Sequence, residues 1–144
     1  MINAAKHIER DLWAYLNGST LKTSQYKISG DIYRGENRPD GRTAYEDVVV
    51  KYLSGYDEQF QTGIVIVNIY VPDIAVNGYK RKLANTKRIE KLSEMLTTYI
   101  EDNYDAEYGW YVEETPQILD ADEIGQHFVN ARVRFRRFTD RHDN

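Results

Sequence analysis

Apolar and polar positions alternate along this chain with two different periods, and each period predicts its own kind of element. From Ile2 to Leu16, apolar residues at Ile2, Ala5, Ile8, Leu12, Tyr15 and Leu16 recur at helical spacing, and Asn17-Gly18 supplies a stop. From Gln25 to Arg34 the pattern Tyr26, Ile28, Ile32 with Gly30 between predicts a strand carrying a bulge. Gly35 to Arg42 is a loop by its chemistry, with Pro39 and Asp40-Gly41 as turn residues. Its charges Arg34, Glu36, Arg38, Asp40 and Arg42 read as a solvated loop.

Two β-rich runs follow, Glu46 to Leu53 and Gly63 to Pro72, both dominated by β-branched residues that suit a pleated, at least half-buried surface. Counted as one strand from Gln59 to Val71, the second would span roughly 43 Å at ~3.3 Å per residue. A compact chain of this length has a diameter of roughly 37 Å, so a continuous hairpin should protrude from its globule. Such an arm exposes unpaired edges that invite a neighbouring subunit, through Tyr56, Phe60, Gln61, Ile64 and Ile66. The alternative is a bend at Thr62-Gly63, where an interior glycine favours a bulge.

After a loop from Asp73 to Lys82 comes the longest helix. Ile89, Leu92, Met95 or Leu96, and Tyr99 or Ile100 define the face expected to pack on the sheet, and Asn85 or Thr86 is placed to cap it. Glu107 to Thr115 reads as a strand ended by Pro116, and the acidic turn Asp120-Ala-Asp-Glu123 separates it from the last strand. Strands are clustered and two helices flank them. The expected class is therefore α+β, one domain over 1–144 with a polar tail at 139–144, a mainly antiparallel sheet and the long helix packed on it.

The last strand separates its residues into two faces. His127, Val129, Ala131, Val133 and Phe135 point one way; Phe128, Asn130, Arg132, Arg134, Arg136 and Phe138 point the other. Three arginines on one face are best tolerated opposite carboxylates or a polyanion, so Arg132, Arg134 and Arg136 are candidate lumen- or partner-facing residues. Lys80, Arg81 and Lys82, with Lys87, Arg88 and Lys91 nearby, form a second basic cluster at the start of the long helix, against its dipole.

Composition narrows the function classes. The chain has no cysteine, which removes disulfides and thiolate chemistry and fits an intracellular origin, and no run approaches a membrane span. A formal net charge of −4 argues against a general nucleic-acid binder. Twelve tyrosines suit strands and protein interfaces alike. Glycine-rich phosphate loops, the Gly-x-Ser-x-Gly elbow and His-Glu-x-x-His are absent, and the three histidines, His7, His127 and His142, have no neighbours suited to catalysis. No enzyme, cofactor or metal site is expected; the acidic turn lacks the spacing of a calcium loop.

Asp47-Val-Val-Val-Lys-Tyr-Leu53 followed by Gln59-Phe-Gln-Thr-Gly-Ile-Val-Ile-Val-Asn-Ile-Tyr-Val-Pro-Asp73 resembles the tail-terminator, or tail-completion, proteins of long-tailed bacteriophages and prophages. The resemblance is one of strand and turn pattern over nearly the whole chain. It implies a homo-oligomeric ring, usually of six subunits, that caps the head-proximal end of the tail tube and joins it to neck proteins. DNA would be only cargo passing through the centre. Assembly in the host cytoplasm and residence in the virion follow from the same resemblance. A rival from another class is a small nucleic-acid-binding module, with Arg132, Arg134 and Arg136 for charge and Phe128 and Phe138 for stacking.

Overall fold

In a computed structural model that describes residues 4–55, 62–113 and 116–138, the chain is α+β, with three α-helices and a six-stranded, mostly antiparallel sheet. The elements run α1 (Ala4–Asn17), α2 (Thr20–Thr23), β1 (Ile32–Arg34), β2 (Asp47–Gly55), β3 (Thr62–Pro72), α3 (Thr86–Asp102), β4 (Tyr108–Val112), β5 (Gln117–Ala121), a 3-10 turn (Asp122–Ile124) and β6 (Gln126–Arg137). Strand order is β1-β2-β3-β6-β4, and β5 also pairs with β6. Among the described residues only β1 and β2 run parallel.

Both long helices lie on one face of the sheet. Ile8, Leu12 and Leu16 of α1 are fully buried, as are Leu92 and Leu96 of α3, with Ile89 and Ile100 nearly so. Side chains of this kind contribute roughly 1.5–3 kcal/mol each on burial. They meet Val48 and Val50 of β2, Val65, Val67, Ile69 and Val71 of β3, and Val129, Ala131, Val133 and Phe135 of β6, in one continuous cluster. The alternation read from the last strand therefore holds. Asn85 caps α3, its side-chain oxygen accepting the Arg88 N–H at 3.2 Å.

β3 is central and regular. It pairs with β6 over its full length, from Thr62 opposite Arg136 to Pro72 opposite Gln126, without a register break. From Thr62 onward no bulge interrupts β3, and the irregularity sits in the partner strand, between Tyr52 and Ser54; the continuity with residues 59–61 that a bend at Thr62-Gly63 would break lies outside the described residues. Gly63 serves close approach instead, since a Cβ there would stand 2.2 Å from the Ser54 carbonyl oxygen and 2.7 Å from the Phe135 ring. The connection that would carry a protruding arm, with Tyr56, Phe60 and Gln61, lies outside the described residues.

Two expectations are corrected. Gln25 to Arg34 is not one strand: only Ile32–Arg34 pairs, because Arg88 donates to the Tyr26 and Lys27 carbonyls at 2.9 and 3.0 Å and holds that segment against α3. The stretch after Pro116 is not simply a turn. Gln117–Ala121 pairs with Asn130 to Gln126, so β4 and β5 lie end to end along the outer edge of the twelve-residue β6.

Candidate functional site: the open face of the sheet

Helices cover one face of the sheet; the opposite face is built from alternate residues of all six strands, with Tyr33 of β1 opposite Val49 and Gln117 and Leu119 of β5 opposite Asn130 and Phe128. Val49 and Lys51 come from β2, Ile64, Ile66, Asn68 and Tyr70 from β3, Tyr111 from β4, and Phe128, Asn130, Arg132, Arg134 and Arg136 from β6. Of the expected hairpin contacts, Ile64 and Ile66 are on this face, opposite Arg134 and Arg132. Ile64 is nevertheless buried and Ile66 half-buried.

One end of the face is closed by the loop after β1. Asp47, wholly buried, accepts from the Asp31 N–H at 2.9 Å, from Arg38 Nε at 3.0 Å, and from Arg42 Nε and Nη2 at 3.0 and 2.9 Å. Buried Gln126 extends the clamp, accepting from Arg38 at 2.9 Å and donating to the Tyr45 carbonyl at 2.9 Å. The loop charges expected to be solvated are therefore drawn inward at Arg38 and Arg42. Burial alone would push the Asp47 pKa up, but the Arg42 fork, the Asp31 N–H and Arg38 outweigh it and hold the carboxyl below its ordinary range. Sequence reasoning missed this clamp; its one local signal is a carboxylate opening a run of three valines.

Aromatic surface at this end is already in use. Tyr70 and Phe128 stack with ring centroids 4.7 Å apart, and the Arg38 guanidinium lies over the Tyr70 ring at 4.3 Å. Asn130 donates to Asn68 at 2.8 Å beside them.

The arginine ladder lies farther along. Arg132, Arg134 and Arg136 are all exposed, on the face opposite the helices. Glu113 bridges two of them, with Arg132 Nε at 3.2 Å from one carboxylate oxygen and Arg134 Nε at 2.5 Å from the other. Arg136 has no ion pair among the described residues. Strand register brings Glu113 there: Tyr111 stands opposite Arg134 in an antiparallel pair, so the residue two further on faces Arg132.

The second basic cluster divides. Arg88 is structural, forked onto Glu46 at 2.7 and 2.9 Å. Lys80, Arg81 and Lys82 are exposed on the loop before α3, together with Ile74, Val76 and Tyr79, and Arg81 lies over the Tyr79 ring at 5.8 Å. The ladder and this loop belong to different parts of the surface by topology, one on β6 and one beyond the end of β3.

His127 faces the helix side, with Nδ1 2.7 Å from an Asp73 carboxylate oxygen, and His7 is 3.5 Å from Arg10 Nη2. Among the described residues no group of three or more histidines and carboxylates is arranged to hold a metal ion, and no helix is long and apolar enough to cross a membrane. No protein-family model matches the chain, and no curated protein does.

Proposed function

We propose that this chain is a structural assembly protein, a tail-terminator subunit that rings the head-proximal end of a phage or prophage tail tube and joins it to the neck. The observation that carries this reading over the nucleic-acid module is Glu113. By bridging Arg132 and Arg134 it leaves the ladder with one cation unmatched by an ion pair among the described residues. A face that binds nucleic acid by charge needs several free cations, whereas a protein contact is served by a mixed, partly neutralised one. Of the two aromatics that module would use, Phe128 is half-buried and already stacks on Tyr70, while Phe138 remains 44% exposed.

A structural role also fits what the sheet exposes. Among the described residues its outer edge at β5 has no partner strand on one side, and four of the five residues of β5 are exposed. Exposed edges of this kind template contact with another chain. A closed ring needs a heterologous contact repeated around an axis, which one edge meeting a different surface of the next copy provides. The partners are then copies of itself, tail-tube and neck proteins, with DNA only as cargo and no cofactor. Light scattering of the full chain over a concentration series, with sedimentation on isolated tail tubes, tests the reading: closed oligomers or tube-bound protein support it. Affinity for single-stranded DNA that falls steeply with salt, in a chain that stays monomeric, would favour the nucleic-acid module instead.

A further inference from the structure

The edge strand β5 has a cleft beside it. Between β5 and α3 lies a groove of about 440 Å³ lined by Ile89, Ser93, Thr97, Pro116, Ile118 and Val129, with Glu90 and Glu94 of α3 on its rim. Its floor is apolar and its rim carries only negative charge. Ile118 faces the helix side of the sheet, opposite Val129, yet remains 44% exposed. α3 therefore does not extend over the edge strand, and a large aliphatic side chain is left uncovered in a cleft. Glu90 and Glu94 are exposed and make no ion pair among the described residues.

The occupant suited to this groove carries apolar side chains next to several cations. One described segment of this same chain has that make-up. The loop from Ile74 to Lys82 exposes Ile74, Val76 and Tyr79, and directly after them Lys80, Arg81 and Lys82, none of which has a carboxylate partner among the described residues. It is held in shape by the Ile74–Leu83 bridge and a turn in which the Tyr79 N–H donates to the Val76 carbonyl at 3.1 Å. A preformed loop loses little entropy on docking.

We infer that the Ile74–Lys82 loop of one subunit docks in the α3–β5 groove of the next. Val76 and Ile74 fill the apolar floor against Ile118 and Ile89, and Lys80, Arg81 and Lys82 meet Glu90 and Glu94. The contact joins two different surfaces of the same chain; made once per pair of copies it is heterologous and propagates from copy to copy, whereas made reciprocally it closes a dimer, which yields only linked dimers on crosslinking. This inference rests on the ring reading and supplies its interface.

Because the chain contains no cysteine, the contact can be trapped directly. Val76→Cys and Ile118→Cys fall at exposed positions and are made singly and together in the full chain. They are oxidised under the conditions, in solution or on isolated tail tubes, where the unmodified chain assembles. The inference expects a ladder of disulfide-linked multimers from the double variant, and linked dimers when the two single variants are mixed. In a second arm, Glu90→Lys with Glu94→Lys weakens assembly about tenfold, and mixing with Lys80→Glu, Arg81→Glu, Lys82→Glu protein recovers it. Assembly without the crosslink and without charge-swap recovery overturns the interface and leaves the ring reading in place. Failure of the unmodified chain to assemble in either setting overturns both.

Discussion

Asp47 and Arg42 form a two-point fork, Nε to Oδ2 at 3.0 Å and Nη2 to Oδ1 at 2.9 Å, around a carboxylate with no exposure to solvent. The fork anchors the loop after β1 to the start of β2, and Arg38 joins it from the same loop. Removing the carboxylate would leave two partly buried guanidinium groups and the Asp31 N–H without their acceptor. Asp47→Ala is expected to cost about 3–5 kcal/mol, and Asp47→Asn less, read by urea denaturation. The pH dependence has a definite sign. The folded carboxyl titrates below the unfolded value of about 3.9, so its contribution is intact above about pH 4 and is lost as pH falls further. Asp47→Asn should flatten the acid limb of the stability profile.

Gly30 is fixed by the same carboxylate. A Cβ there would stand 1.8 Å from Asp47 Oδ1 and 2.5 Å from the Glu46 carbonyl oxygen, and neither can retreat without breaking the clamp or the sheet. Gly30→Ala should destabilise by about 2–3 kcal/mol. Gly41→Ala, with nothing within 4 Å but a φ of +81°, should cost about 1 kcal/mol by backbone strain alone. Thermal melts of the two variants separate close approach from strain.

Tyrosine titration probes the opposite end of the sheet. The Tyr108 hydroxyl donates to Asp11 at 2.6 Å, and Tyr15 donates to the Asn103 carbonyl at 2.8 Å. Burial, then the Asp11 hydrogen bond, raises the Tyr108 pKa; burial, then Tyr99 and Asp105, pushes Tyr15 up to about 12. Both favour the neutral form in the folded state, so stability falls as pH rises from about 10, where unfolded tyrosine ionises, through 12. Ultraviolet titration should show Tyr108 and Tyr15 ionising late. Tyr108→Phe should cost about 1.5–3 kcal/mol and remove one of them.

Glu113 sets the charge of the arginine face. Glu113→Ala frees Arg132 and Arg134, and because these pairs are exposed its effect on stability should stay within about 1 kcal/mol. Its effect on single-stranded DNA should be larger. The unmodified chain is expected to bind such DNA negligibly at physiological salt, whereas the variant gains weak affinity with a salt slope steeper by about one to two. Fluorescence anisotropy across a salt series measures both.

What was legible in the sequence is what repeats with a local period. Ile89, Leu92, Leu96 and Ile100 announce α3, Asn85 its start, and the two-residue alternation of β6 places three arginines opposite Val129 to Phe135. The segment between α1 and β2 was not legible, because its conformation is set by contacts far apart in sequence: Arg88 reaching Tyr26 and Lys27, Arg42 and Arg38 reaching Asp47. β5 escaped for a related reason. Gln-Ile-Leu-Asp-Ala has little intrinsic strand character, and it pairs because β6 continues past β4 and offers a free edge. At the candidate site the cations were visible and their carboxylate was not, since Glu113 reaches them only through strand register.

The central claim is that this chain works by closing into an assembly with itself. Multi-angle light scattering of the purified full chain from micromolar to near-millimolar concentration, alone and after incubation with isolated tail tubes, tests it most directly. The expected result is a discrete closed oligomer whose population rises with concentration, or the same oligomer recruited to one end of the tubes. A monomer at every concentration, absent from the tubes, would contradict it.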